Sequence, residues 1–427
     1  MEHDQKPYKF LKEIIKEKEL TKKEIGIRIG MLIGGAILFG VIAAFVFAAV
    51  EPHADAAING SAEAPKVDIP KDEDPDSTAS SSVSGDGTDE AAAEAPENTP
   101  AETPALGLSE YQQLYQDMLA VAEVPQQALV TVIGITSQMD YFNQNYERQQ
   151  QISGLLVANN GQDLFVLTEY RVVENVERIQ LTFCDGTMVD AIFQKNDPNT
   201  GLAILRVALS DVPQETKDTI QVAPLGNSYG VVQGEPILAL GSPIGYSNSV
   251  AYGVVTSVTN TISTIDTEYN LLTTDIIGSK EGSGILVNLE GEVIGFIAQN
   301  YSTGENIVTG LAISQLKQLI ENLSNNTPLP YLGIKGQDVT TEISDKTGIP
   351  KGVLVNSVEE DSPAMMSGIK EYDVIVKIGE DKVSTLIQYH DKLSKCVPGK
   401  TVKVTAMRKG AEGYVEVNFD VMIGELK

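Results

Sequence analysis

Apolar residues along the chain follow three patterns, and each predicts a different kind of element. An uncharged apolar run covers residues 29–50. As a helix at about 1.5 Å per residue it would extend about 33 Å, enough to cross a hydrocarbon core of about 30 Å. From 108 to 121 apolar residues recur with a period of 3.6, which predicts one amphipathic helix closed by Pro125. After it, short β-branched runs separated by Gly, Asn, Asp and Pro predict an all-β barrel or sandwich.

Charged residues around the apolar run predict its orientation. Lys and Arg crowd the stretch that precedes it, whereas Lys66 is the only basic residue in the twenty that follow. The positive-inside rule therefore places the Lys/Glu-rich leader, 1–28, in the cytoplasm. A cleaved signal peptide is the alternative, but the run is longer than the roughly 7–15 apolar residues of such a peptide. The sequence predicts a single-pass cell-membrane protein with a signal-anchor helix and extracytoplasmic domains.

Composition separates the next segment from the rest of the 427-residue chain. Residues 51–107 contain 14 acidic residues, only Lys66 and Lys71 as basic residues, and no aromatic residue. Such a segment cannot bury enough apolar surface to offset its ordering entropy, so we expect a disordered acidic linker. The whole chain has a net charge of −28. Nucleic acid is not an expected partner, because binding to phosphates requires a basic surface.

Neither the cysteines nor the glycines indicate a cofactor or a metal. Cys184 and Cys396 fall in different predicted domains, without CxxC or metal-ligand spacing, and are expected to be free structural thiols. No glycine-rich phosphate loop interrupts the β-branched runs. We therefore expect no cofactor and no metal site.

Two folded regions follow the linker. Residues 108–326 form the predicted β domain, which ends in a helix over 311–324. The sequence TPLP at 327–330 is typical of a short linker. The remainder, 331–427, has the size of one small α+β domain.

Consecutive segments from about 125 to 320 resemble the protease domain of HtrA-type serine endopeptidases in order and spacing. These segments are SGLLVANNGQDLFVLTEYRVVENVERIQLTF, DGTMVDAIFQKNDPNTGLAILRV, VAPLGNSYGVVQGEPILALGSPIGYSNSVAYGVVTSV and TTDIIGSKEGSGILVNLEGEVIGFIAQN. The resemblance implies a mainly β fold, a chymotrypsin-type double β-barrel, and assembly into trimers.

The resemblance also implies that the catalytic residues are absent. The family's general-base histidine lies in LTNNHVV, and the matching LTEYRVV places Arg171 there, whose guanidinium cannot accept a proton. The orienting aspartate of DPxTDLAVL is replaced by Gly201 in DPNTGLAIL. The nucleophile of GNSGGPL corresponds to Gly282 without a gap, or to Ser283 if one residue is deleted. In either alignment the loop that would form the oxyanion hole is altered.

The positions of the histidines lead to the same expectation without an alignment. The three histidines of the chain are His3, His53 and His390. None lies between 108 and 330, so a Ser-His-Asp triad within the β domain is excluded. Ser283 could instead use a lysine base, with Lys280 or Lys195 nearest in loop position. A lysine base needs burial to lower its pKa, and the polar surroundings of these lysines do not predict burial.

The last region contains the sequence YLGI at 331–334, followed by GVLVNSVEEDSPAMMSGIKEYDVIVKIGEDKV. These segments resemble the carboxylate-binding loop and the core of a PDZ domain of the HtrA arrangement. In such a domain backbone N–H groups of one loop bind a terminal carboxylate, and the following strand accepts an extended peptide. The expected peptide-binding residues are Tyr331, Leu332, Gly333 and Ile334 in that loop, with Leu386 and Tyr389 on a helix over 385–395. Leu386 and Leu393 equally fit simple core packing, and His390 is expected on the helix surface.

These observations predict a membrane-anchored, extracytoplasmic pseudoprotease that binds exposed or C-terminal peptide segments of proteins. It would act as a scaffold, holdase or regulator in protein quality control, as a homotrimer or as a hetero-oligomer with an active paralogue. One alternative is an active endopeptidase that uses Ser283 in a non-standard site. Another is a structural surface protein in which the barrel is only a rigid platform.

Overall fold

The computed structural model describes residues 65–73, 107–139, 145–298 and 306–426. The predicted leader, the predicted membrane helix over 29–50 and most of the predicted linker lie outside these residues. Within the described ranges, no helix has both the length and the apolar character needed to cross a membrane.

A first barrel closes from six strands in the order β1-β2-β3-β6-β5-β4. Its strands are β1 (Leu129–Met139), β2 (Asn145–Asn159), β3 (Asp163–Glu169), β4 (Arg178–Thr182), β5 (Met188–Asp197) and β6 (Leu202–Ala208). Every residue of β3 is buried, and β3 pairs with β6, which is also largely buried. The continuous apolar runs in these two strands follow from burial on both faces. They form the centre of the first barrel's core.

A second barrel follows in the order β10-β11-β12-β9-β8-β7. Its strands are β7 (Pro236–Ser242), β8 (Ser249–Thr264), β9 (Thr267–Ile277), β10 (Ser283–Val287), β11 (Val293–Ala298) and β12 (Ile307–Ala312). The two closed barrels confirm the predicted chymotrypsin-type fold. The fully buried β10 lies between β7 and β11, at the position where the resemblance places the nucleophile loop.

Among the described residues, four α-helices flank the barrels. They are α1 (Leu108–Val121), α2 (Glu123–Gln127), α3 (Gln214–Thr219) and α4 (Ile313–Ser324). The helix predicted from 108 is confirmed as α1, but of its apolar residues only Met118 is buried. Tyr111 and Leu114 remain more than half exposed, and Tyr115 contacts Tyr252 edge-on, with ring centroids 6.0 Å apart. The apolar face of α1 is thus largely open in this chain.

Residues 65–73, here called the strap, lie against α4. The side chains of Val67 and Ile69 are buried, whereas Asp68 between them is exposed. Val67 exchanges two hydrogen bonds with the side chain of Asn325, at 2.9 and 2.7 Å, and Asp72 pairs with Lys317 at 2.8 Å. The strap lies within the segment predicted as a disordered linker, and its nine residues depart from that prediction. Two buried apolar side chains and a buried ion pair account for the difference.

The last domain is a PDZ-type sheet in the order β14-β15-β16-β18-β19, with β17 paired to β16. Its strands are β14 (Ile334–Asp338), β15 (Val353–Val358), β16 (Val374–Ile378), β17 (Asp381–Lys382), β18 (Thr401–Gly410) and β19 (Gly413–Met422). The helices are α5 (Thr341–Thr347), α6 (Pro363–Ser367) and α7 (Leu386–Ser394). Side chains of Thr340, Ser362 and Thr385 cap their first turns. This arrangement leaves β14 as an edge strand of the described sheet.

The predicted TPLP linker is part of the packing between the barrels and the last domain. Leu329 is buried among the side chains of the barrel core. Two short strands, β13 (Pro330–Tyr331) and β20 (Gly424–Glu425), pair with each other, and the N–H of Leu426 donates to Leu329 O at 2.9 Å. The TPLP segment is therefore held by residues 424–426.

Candidate functional site

Arg171 stands where the resemblance places the general base, in a short 3-10 turn (Tyr170–Val172) directly after β3. Its Nε lies 2.7 Å from Oε2 of Glu169, and its Nη1 lies 3.0 Å from Oε2 of Glu281. The hydrogen bond to Glu169 raises the pKa of Arg171 above its usual value. The guanidinium therefore stays protonated and links the end of β3 to the loop before β10. It offers no acceptor for the proton of a serine hydroxyl.

Gly201 stands at the position of the orienting aspartate, and its backbone is part of a tight turn. Its φ is +66°, its N–H donates to Asp197 O at 2.9 Å, and its carbonyl accepts the N–H of Tyr170 at 2.7 Å. The nearby carboxyl of Asp197 is buried and accepts from the N–H and hydroxyl of Thr200 at 3.0 and 2.7 Å. Burial raises the pKa of Asp197. That carboxyl stabilises the turn and does not orient a base.

Ser283 and Gly282 are the two candidates for the nucleophile position. Ser283 is 1% exposed, and its Oγ accepts a hydrogen bond from the N–H of Ser153 in β2 at 2.9 Å. Gly282 is buried and has no side chain, and its N–H donates to Ser279 O in the preceding turn. In this arrangement the hydroxyl of Ser283 is inside the protein and bonds one barrel to the other.

Neither of the two lysines named as alternative bases is placed against the hydroxyl of Ser283. Lys280 is exposed in the loop before β10. Lys195 lies on β5, and its Nζ is 3.5 Å from Oε1 of Glu425 in the last domain. The ammonium of Lys195 is thus engaged by a carboxylate, whereas the hydroxyl of Ser283 bonds to the N–H of Ser153. The arrangement gives no support to a Ser-Lys pair.

A carboxylate lies in the predicted carboxylate-binding loop, and it belongs to the chain itself. The N–H groups of Leu332 and Gly333 each donate to Oδ2 of Asp266 at 2.8 Å, and the N–H of Ile334 donates to Oδ1 at 3.1 Å. The hydroxyl of Tyr389 donates to the same Oδ1 at 2.7 Å. Four of the six predicted peptide-binding residues thus surround one buried carboxylate.

The other two predicted residues are Tyr331 and Leu386. Tyr331 is half-buried in β13, with its hydroxyl next to Gly333. Gly333 has φ +94°, and a Cβ there would lie 2.3 Å from Cβ of Ser362, so only glycine fits. Leu386 is buried in the core of the last domain together with Leu393. For these two leucines the burial favours the core-packing alternative.

His390 differs from the prediction that placed it on the helix surface. Its Nδ1 lies 3.3 Å from the carbonyl oxygen of Asp266, so α7 packs against the second barrel through this side chain. Burial lowers the pKa of His390. The 3.6-residue pattern of α7 showed which face packs on its own sheet, but it carried no information on a second contact to another domain.

Sequence reasoning missed Asp266, although its carboxylate accepts hydrogen bonds from three backbone N–H groups of the predicted loop. It lies between Thr264 and Thr267, in the turn joining β8 to β9, with φ +60°. Aspartate is a common turn residue, so its presence there does not stand out. No local pattern indicates a partner 66 residues along the chain. Only the packing of the two domains reveals its role.

The described residues contain no group of three or more His, Cys, Asp or Glu side chains placed to hold a metal ion. Cys184 and Cys396 are both free thiols, the first exposed and the second half-buried. Burial raises the pKa of both thiols, so neither has the low pKa typical of a reactive cysteine.

Comparison with known families matches a trypsin-like peptidase domain over residues 152–296 and a PDZ domain over residues 310–419. The probable periplasmic serine endoprotease DegP-like of Halomonas elongata is 27% identical over 279 residues, covering 64% of this chain and 56% of that protein. The serine protease Do-like HtrA of Lactococcus lactis subsp. cremoris is 27% identical over 321 residues, covering 70% of this chain and 77% of that protein.

Solved structures show the same fold. The HtrA-type protease AlgW with decapeptide is 21% identical, covers 73% of this chain and 98% of that chain, and superposes with a TM-score of 0.53. The match to the Halomonas protein spans little more than half of that relative's length.

Proposed function

Because the chain belongs to the HtrA-type family of trypsin-like peptidases with a PDZ domain, we propose that it is a membrane-anchored pseudoprotease. It binds exposed or C-terminal peptide segments of extracytoplasmic proteins without cleaving them, as a scaffold, holdase or regulator in protein quality control. The relatives named as periplasmic proteases support the extracytoplasmic location of the folded domains. The apolar run 29–50 and the basic residues before it support the anchor in the cell membrane.

The loss of catalysis is supported by what stands at the three triad positions. Arg171 is ion-paired with two glutamates, Gly201 has no side chain, and the hydroxyl of Ser283 is buried. No histidine lies between residues 108 and 330. Removal of a triad member in this class of enzyme costs many orders of magnitude in rate, and here the base and the orienting group are both replaced.

One observation carries the proposed peptide binding. Three consecutive N–H groups, those of Leu332, Gly333 and Ile334, converge on a single carboxylate within hydrogen-bond distance. Consecutive backbone donors of this kind are the means by which a terminal carboxylate is captured. The loop beside the edge strand β14 therefore has the geometry that a C-terminal peptide requires.

Proteolysis is tested with the purified full-length chain in detergent and a fluorescently labelled unfolded protein as substrate. We expect no cleavage, and no labelling by a fluorophosphonate probe that depends on Ser283. The matched control is Ser283→Ala, treated identically. Cleavage and labelling that both disappear in Ser283→Ala would establish the alternative, an active endopeptidase with a non-standard site.

Peptide binding is tested by fluorescence anisotropy with one peptide in two forms, ending either in a free carboxylate or in an amide. A hydrogen bond to a charged group contributes about 1.5–3 kcal/mol, so the amide form should bind at least about tenfold more weakly. Equal affinity for the two forms would exclude carboxylate recognition. Absence of binding by either form would favour the alternative of a purely structural protein.

We also propose that the chain assembles as a homotrimer or as a hetero-oligomer with an active paralogue. The exposed apolar residues of α1, among them Tyr111, Leu114 and Leu119, support an assembled state, because such faces are normally covered. Sedimentation of the full-length chain in detergent gives the stoichiometry. A monomer at all concentrations would contradict a stable homotrimer.

A further inference from the structure

The turn between β8 and β9 brings a single residue of the second barrel to the PDZ domain. The two strands pair to their last residues, Thr264 and Thr267, so only Ile265 and Asp266 form the turn. Asp266 adopts a left-handed conformation, which aspartate tolerates better than most residues. Asp266 is nevertheless only 5% exposed, because the loop before β14 surrounds it.

Asp266 offers this loop the same two groups that the last residue of a peptide would offer. Its carboxylate accepts from the three loop N–H groups and from Tyr389, as described above. Its own N–H donates to the carbonyl of Ile334, the first residue of edge strand β14, at 2.7 Å. A C-terminal peptide that adds to a sheet edge makes this pair of interactions through its α-carboxylate and its terminal N–H. The difference is that the carboxylate here belongs to a side chain.

Contacts on both sides hold the turn in place. Both carbonyl oxygens of the turn have a side-chain partner. Asn199 donates its Nδ2–H to Ile265 O at 2.9 Å, and Nδ1 of His390 lies 3.3 Å from Asp266 O. The donors of the loop are also engaged, since the N–H groups of Leu332, Gly333 and Ile334 and the hydroxyl of Tyr389 all donate to the carboxylate of Asp266. A peptide terminus and Asp266 therefore cannot occupy the loop together.

We propose that Asp266 is a built-in competitor, which fills the carboxylate site of the PDZ domain until a peptide C-terminus displaces it. This inference rests on the proposed peptide binding and describes how that site is regulated. The chain holds its own site closed, and the proteins it binds are those that present a free C-terminal carboxylate at sufficient local concentration. Displacement separates the β8–β9 turn from the loop and releases the contacts of Asn199 and His390.

The exchange replaces one carboxylate with another. Burial raises the pKa of Asp266, and the four hydrogen bonds that it accepts oppose that shift. If the turn moved away and no other carboxylate replaced Asp266, three buried backbone N–H groups would lose their acceptor, which costs free energy. An incoming carboxylate restores these hydrogen bonds, while the displaced carboxylate of Asp266 becomes hydrated. The two occupied states are therefore close enough in free energy for a ligand to shift their populations.

The experiment compares the full-length wild type in detergent with Asp266→Gly and Asp361→Gly. Glycine keeps the left-handed backbone at Asp266 and removes the competing carboxylate. Asp361 is the matched control, since it is also an aspartate with a left-handed backbone (φ 54°) in the PDZ domain, but its side chain is exposed. The probe is a fluorescent peptide with an apolar last residue and a free carboxylate. Hydrogen exchange of the amides of 332–334 is followed in parallel without peptide.

If the loop is free in about 1–10% of wild-type molecules, Asp266→Gly should bind the peptide about 10–100-fold more tightly, with Asp361→Gly unchanged. The amides of 332–334 should exchange slowly in the wild type and quickly in Asp266→Gly. Equal affinity of wild type and Asp266→Gly overturns the competition and leaves peptide binding intact. Absence of binding by both proteins overturns the proposed function itself. Should Asp266→Gly fold poorly by circular dichroism, Asp266→Asn, which keeps the shape without the charge, must also bind more tightly than wild type.

Discussion

Replacing Arg171 with methionine should destabilise the first barrel, because it leaves a buried carboxylate without its partner. The side chain of Glu169 is 6% exposed, whereas that of Glu281 is 80% exposed, and both bind the same guanidinium. The two ion pairs therefore differ in the cost of breaking them. Methionine preserves most of the apolar contacts of the arginine stem, so the effect isolates the lost charge.

Breaking a buried ion pair by removing one partner costs about 3–5 kcal/mol, and an exposed pair contributes about 0–1 kcal/mol. The side chain of Arg171 is 36% exposed, so water can reach Glu169 once the guanidinium is gone. We therefore expect a cost below that range, about 2–3 kcal/mol for Arg171→Met. For a domain of this size that corresponds to a fall in Tm of about 4–12 °C. Glu281→Gln should lower the Tm by at most about 4 °C.

The assay is thermal unfolding of the full-length chain followed by far-ultraviolet circular dichroism, at low and at high salt. The double variant Glu169→Leu with Arg171→Met removes both charges and should recover most of the loss. Salt should reduce the small effect of Glu281→Gln and leave the large effect of Arg171→Met nearly unchanged. Equal shifts for Arg171→Met and Glu281→Gln would refute the reasoning, because burial would then not decide the strength of these pairs.

Two further predictions concern residues that the fold buries. Ser283→Ala should lower stability by about 1–3 kcal/mol, since the buried N–H of Ser153 loses its acceptor, and should leave proteolysis of an unfolded substrate unchanged at background. A loss of proteolysis in this variant would contradict the assignment. Ile69→Ala should weaken the docking of the strap and accelerate tryptic cleavage after Lys71, with Asp68→Ala, whose side chain is exposed, as the control. Equal cleavage rates for both variants would show that the burial of Ile69 does not hold the strap.

The fold could be predicted from the sequence because its signals are local. Runs such as Leu164–Leu167 in β3 mark strands buried on both faces, and the order of the motifs indicates two barrels and a PDZ domain. The alignment of Arg171 and Gly201 with the triad positions is local in the same way, because it depends on neighbours a few residues distant. What the arginine does could not be predicted, since Glu281 lies 110 residues further along the chain.

The two features that sequence reasoning did not anticipate depend on contacts between distant segments. Val67 and Ile69 are isolated apolar residues in an acidic segment, and only their contact with α4, some 250 residues away, makes them core residues. Asp266 has the properties of an ordinary turn residue, and only the packed domains show that its carboxylate fills the predicted loop. In both cases the local sequence has the composition of a loop, and only the tertiary structure determines what these residues contact.

The strap has a consequence for what happens when the chain is cut. A protease that cleaves between residues 74 and 106 breaks the only covalent path from the strap to α1. Cleavage there would leave intact the burial of Val67 and Ile69, the bonds to Asn325 and the ion pair of Asp72, so we expect the two fragments to stay associated. Nicking alone would therefore not release the barrels and the PDZ domain from whatever precedes residue 65. Shedding would require the strap to dissociate as well, and its rate would follow the lifetime of that noncovalent contact.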